Sequence, residues 1–72
     1  MTDPVDLRGV PCPLNWAKAK VRLESLDTGE RIELWIDDPR SVRDLPRAAA
    51  AEGYDVLEVG EIGGGWRIVI ER

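Results

Sequence analysis

The chain predicts an α/β two-layer sandwich of order βαβαββ, a four-stranded mixed sheet with two helices packed on one face. Three observations lead there. Two segments, Arg31 to Asp37 and Trp66 to Glu71, alternate apolar and polar residues with period two, as half-buried strands do. Two others have helical spacing, each following a proline-containing turn and ending at a glycine. A run of three glycines, Gly63-Gly64-Gly65, separates the last two extended segments and supplies the positive-φ positions of a hairpin.

Taken in order, Val5-Asp6-Leu7 is a short extended segment, ended by Gly9 and by the prolines at 11 and 13. Pro13 to Leu26 is a helix. Proline is tolerated at the first helical position because its missing N–H has no partner there, so Pro13 marks N1 and Cys12 the N-cap. Asp27-Thr28-Gly29 closes it. Arg31 to Asp37 then puts Ile32, Leu34 and Ile36 on one strand face and Trp35 on the other. From there Trp35 either covers the open side of the sheet or contributes to a partner surface.

Asp38-Pro39-Arg40 breaks that strand, and Ser41-Val42-Arg43-Asp44 resembles a capping box with Asp in place of the usual Glu. The second helix is expected to start there, with a short turn through Leu45, a bend at Pro46, and the Ala48 to Ala51 run before Gly53. Tyr54 to Gly60 and Trp66 to Glu71 form the last two strands, the latter with Trp66, Ile68 and Ile70 on one side.

The first helix has two apolar stripes. At 100° per residue, Trp16, Ala19, Leu23 and Leu26 gather on one side, while Leu14, Ala17 and Val21 gather nearly opposite. If the longer stripe packs on the sheet, the shorter faces solvent beside Cys12, either as a docking strip for a partner protein or as ordinary scattered surface hydrophobes.

Composition excludes several functions. The 72 residues form one domain, too small for a cleft between two lobes. A single cysteine permits no internal disulfide, and with no histidine there is no Cys-His pair and no zinc cluster, so no metal or cofactor is called for. Fourteen acidic against ten basic residues leave a net charge of −4, which argues against direct binding to a nucleic acid backbone. Met1-Thr2-Asp3-Pro4 has neither the basic nor the apolar region of a secretory signal, and no apolar run approaches the ~20 residues that span a bilayer. No membrane is expected, and a reducing cytoplasm suits an isolated thiol.

Cysteine is a poor cap, typically about 1 kcal/mol worse than Ser, Thr, Asp or Asn, so a thiol between Pro11 and Pro13 points to chemistry. The positive end of the helix dipole and its free N–H groups favour a thiolate there. A buried structural thiol is the competing reading, yet such a residue belongs within a strand or on a packed stripe. Arg8 and Lys18 are candidate thiolate stabilisers, each also readable as a solvated surface charge. The adjacent Asp37 and Asp38 read as a strand-ending turn and a helix cap rather than a metal site. The glycine triplet lacks the Lys-Ser/Thr of a phosphate loop.

Asp6-Leu7-Arg8-Gly9, the Cys12-Pro13 pair opening a helix, Gly29-Glu30, Asp37-Asp38-Pro39 and Arg43-Asp44-Leu45-Pro46 together resemble the TusA-like (SirA-like) sulfur-carrier family, over nearly the whole chain. The resemblance implies a single sulfur-carrier domain over residues 1–72 in which Cys12 accepts sulfane sulfur as a persulfide and passes it on. It implies a cysteine desulfurase or rhodanese-like donor and a downstream sulfur-acceptor protein, in a relay for tRNA thiolation, molybdenum-cofactor biosynthesis or sulfur metabolism. One position departs from the family's Cys-Pro-x-Pro signature, where Asn15 replaces the second proline. Its restored N–H is expected to add a donor near the thiolate and to loosen the turn slightly. The alternative is a non-catalytic interaction or regulatory module whose thiol is incidental or senses oxidants.

Overall fold

The computed structural model describes residues 4–11 and 14–72. Its elements are β1 (Val5–Asp6), α1 (Leu14–Glu24), β2 (Arg31–Ile36), α2 (Pro39–Ala51), β3 (Asp55–Ile62) and β4 (Gly65–Glu71). The sheet order is β1-β2-β4-β3, with β1 parallel to β2 and the other two pairings antiparallel. This is the mixed βαβαββ sheet that the sequence predicts. A parallel pair needs a crossover, and α1 provides it; an antiparallel pair needs only a tight turn, which the glycines between β3 and β4 provide.

The period-two pattern decides which face is buried. Ile32, Leu34 and Ile36 of β2 stand opposite Ile70, Ile68 and Trp66 of β4. Of these, all but Trp66 are buried, packed with Ala19 and Leu23 of α1 and Leu45 and Ala49 of α2. Both helices therefore cover the same side of the sheet. Each fully buried leucine or isoleucine contributes roughly 1.5–3 kcal/mol through burial.

The other face bears a polar lattice around Trp35. Its indole N–H donates to Glu33 Oε2 at 2.6 Å, and Arg67, directly across the strand pair, bridges Glu33 at 2.9 Å and Glu58 at 2.7 Å. Arg67 holds the Glu33 carboxyl below its ordinary range, with help from the indole.

One expectation is corrected. The second helix begins at Pro39, not Ser41, and is capped by Asp38, whose carboxylate accepts the Arg40 N–H at 2.9 Å. A true N-cap aspartate followed by proline outcompetes the capping-box pattern two residues later. The helix runs continuously through Pro46 to Ala51. In the glycine triplet only Gly64 takes a positive φ, +79°. Gly65 is needed for a different reason: a Cβ there would collide with the backbone carbonyl of Ile36.

Helix α1 ends at Glu24, two residues before the expected Leu26, and Ser25 and Leu26 follow in a tighter turn, donating to Arg22 and Leu23 at 3.2 and 3.1 Å. Arg72 completes this end, its guanidinium donating to the carbonyls of Leu23, Glu24 and Leu26. Such orphan carbonyls are what a cationic side chain satisfies. Among the described residues, no helix is long and apolar enough to cross a membrane.

Candidate functional site

Cys12 and Pro13 lie outside the described residues, and with them the expected N-cap and N1 positions. The structure describes the frame on either side. Leu7, buried, donates its N–H to Trp35 O at 2.8 Å, and Val10 closes a turn onto Leu7 O at 3.1 Å. Between them the Gly9 N–H donates to Asp37 Oδ1 at 2.9 Å, so the carboxylate just past β2 fixes the loop. Gly9 has φ +81°, which glycine adopts without the strain a Cβ would bring.

On the helical side, the Asn15 N–H donates to Pro11 O at 3.1 Å, an α-helical spacing of four. The donor restored by the missing proline is therefore already paired with Pro11. The Asn15 side chain adds to this. It is fully buried, its Nδ2 donates to the buried hydroxyl of Ser41 in the first turn of α2, and its Oδ1 accepts the Trp16 N–H at 2.7 Å. Burying an amide is costly unless it is hydrogen-bonded. Among the described residues, no buried side-chain nitrogen or oxygen lacks a partner.

The described residues before and after Cys12 and Pro13 are thus tied to one junction, the turn from β2 into α2: Gly9 to Asp37, and Asn15 to Ser41. Pro11 and Leu14, the described neighbours of Cys12 and Pro13, are both exposed, Leu14 by 51%.

Of the two candidate cations, Arg8 is engaged elsewhere. It forms a bidentate pair with Asp6, at 2.9 and 2.7 Å, and lies over the Trp35 ring, 5.2 Å from its centroid. The guanidinium and backbone N–H of Arg8 lower the Asp6 carboxyl to about 2. Lys18 is exposed on α1, and its neighbour Lys20 is the lysine that pairs across to Glu52, at 3.3 Å. No acidic residue occupies the first turn of α1, so nothing there opposes an anion at the helix start.

The two stripes of α1 face as expected. Ala19 and Leu23 are buried, with Trp16 and Leu26 packed against the core, whereas Leu14, Ala17 and Val21 are exposed, Val21 by 67%. Asp37 and Asp38 are the loop tie and the helix cap.

Sequence reasoning treated Asn15 as a gap in a motif and missed its burial. The signal was available: Asn15 precedes Ala19 and Leu23 at intervals of four, which puts it on the inward stripe. Its partner Ser41, 26 residues away, had no such signal.

A model of the family described as sulfurtransferase TusA matches residues 4–72. A candidate sulfur carrier protein of Archaeoglobus fulgidus is 38% identical over 69 residues, covering 94% of this chain and 78% of that one. Sulfur carrier protein TusA of Allochromatium vinosum is 31% identical over 68 residues, covering 94% and 90%. The crystal structure of a SirA-like protein from Desulfitobacterium hafniense superposes with a TM-score of 0.81 at 25% identity, over 99% of this chain and 96% of that one.

Proposed function

The chain belongs to the TusA sulfurtransferase family, and from that premise we propose that it is a sulfur carrier, a single domain whose Cys12 takes up sulfane sulfur as a persulfide and hands it to an acceptor protein. The observation that supports this best is the double anchoring of the segment around the chain's one cysteine, with exposed residues on both sides of it. A protein acting as a carrier needs its sulfur reachable by two different enzymes while the backbone beneath it stays fixed.

The chemistry balances without an added oxidant. The Cys12 thiolate attacks the outer sulfur of a donor persulfide; a new S–S bond forms, the old one breaks, and its electron pair leaves with the donor's inner sulfur as thiolate. In the second half an acceptor thiolate attacks the outer sulfur on Cys12, and the Cys12 thiolate is released. Nothing in the cycle requires a side-chain base, provided the thiol is ionised. The helix N-terminus favours that state, and Lys18 is the cation left to assist it once Arg8 is paired with Asp6.

The donor would be a cysteine desulfurase or a rhodanese-like enzyme, and the acceptor a member of a relay for tRNA thiolation, molybdenum-cofactor biosynthesis or sulfur metabolism. Leu14, Ala17 and Val21 form the strip on which such enzymes would dock, and the cytoplasm is the compartment that keeps the thiol reduced. Incubation with a cysteine desulfurase and cysteine, followed by intact mass measurement, tests the carrier reading. One or more sulfur atoms should be gained, be removed by reductant, and be absent in Cys12→Ser. No gain with several competent donors sinks it.

A further inference from the structure

We propose that Asn15 and Ser41 are positioning residues for the carrier thiol: their buried hydrogen bond locks the first turn of α1, three residues after Cys12 in the chain, to the first turn of α2. The inference rests on the reading of Cys12 as the reactive atom, but it concerns how that atom is held.

Several observations converge on it. Asn15 and Ser41 are the two buried polar residues among those described, and they bond to each other. Asn15 stands three residues after Cys12, and its N–H bonds Pro11, the residue before Cys12, so one residue reaches across the whole segment. Ser41 is in turn fixed by its own N–H, which donates to Asp38 O at 3.0 Å in the capped start of α2. A proline at position 15 would stiffen the turn by restricting φ; asparagine instead bonds locally to Pro11 and Trp16 and, through its side-chain amide, to a partner elsewhere in the fold. Ser41 is that partner.

A frayed first turn would present its N–H groups to the thiolate less steadily, so thiolate reactivity should report the bond. Ser41→Ala is the gentlest probe. In the folded protein it should slow alkylation of Cys12 by iodoacetamide at neutral pH by about threefold or more and displace the midpoint of the rate-against-pH profile upward. Asn15→Ala, which also removes the acceptor of the Trp16 N–H, should slow it at least as much, and the double variant should be no slower than Asn15→Ala, because the Asn15–Ser41 bond is already lost in each single. Ser41→Thr, which keeps the hydroxyl, should restore most of the rate. A purely structural role predicts lower thermal stability with an unchanged profile, and that result overturns the proposal, as do independent, additive effects of the two substitutions.

A measurement on the unaltered protein guards against variants that fail to fold. The side-chain amide resonances of Asn15 should shift as the thiol is titrated, and their indifference would count against the positioning role. Neither readout uses a sulfur donor. Failure of sulfur loading with a normal alkylation profile would therefore defeat the carrier function and leave the positioning role standing.

Discussion

The carboxylate of Asp37 accepts the backbone N–H of Gly9 at 2.9 Å, across 28 positions of chain, and fastens the loop leading to Cys12 onto the end of β2. Asp37→Ala leaves that amide to water and should lower unfolding free energy by about 1 kcal/mol, the usual net worth of an intramolecular hydrogen bond. Asp37→Asn retains an acceptor oxygen and should lose less than half as much. Urea denaturation of both variants reads the difference, and equal losses would show that charge rather than the hydrogen bond matters.

Gly65 and Gly63 look interchangeable in the sequence and differ in the fold. A Cβ at Gly65 meets the Ile36 carbonyl, a backbone atom that can move only with β2, whereas a Cβ at Gly63 meets nothing within 4 Å. Gly65→Ala should cost about 2 kcal/mol or more through strand displacement, and Gly63→Ala should fall within about 0.5 kcal/mol of the parent protein. Comparing their thermal midpoints checks the contrast.

Arg72 reaches back from the end of β4 to three carbonyls at the end of α1. Its replacement by alanine leaves them to solvent and removes a cation from the negative end of the helix, for an expected loss of about 1 kcal/mol. Faster amide exchange in the last turn of α1, with the first turn unchanged, would localise the effect.

Acid should weaken the protein in a defined window. Asp6 is lowered from 3.8 to about 2 by its hydrogen bonds from Arg8, so in the unfolded chain it binds a proton more readily than in the native one. Its stabilisation is full above the unfolded value and disappears as pH falls through the folded value. Glu33, lowered by Arg67, acts in the same direction. Thermal midpoints of the parent and Asp6→Asn should differ at neutral pH and converge as the pH falls from about 4 to about 2. A gap that persists below this window would place its origin outside the carboxylate's charge.

What the sequence made legible was local. Alternation in β2 and β4 names the core face because a strand's side chains change sides at every residue, and Ile32, Leu34, Ile68 and Ile70 are buried as that rule requires. The start of α2 was misread because two cap patterns compete within four residues, and Ser41 satisfies the wrong one while lying buried against Asn15. Gly65 has its role from Ile36, Arg72 from the end of α1, and Asn15 from Ser41. In each case the partner is brought near by the sheet and not by the chain, so no window of neighbouring residues contains the reason. For the site itself, the motif around Cys12 was visible, but the junction that holds it was not.

Asp37 and Ser41 both come after β2 in the chain, whereas the cysteine comes before it. A nascent polypeptide that has made its thiol has not yet made either anchor, and an excised amino-terminal peptide would never acquire them. Reactivity at position 12 should therefore mature late, arriving once the chain has passed from β2 into α2 rather than with the residues that surround the sulfur.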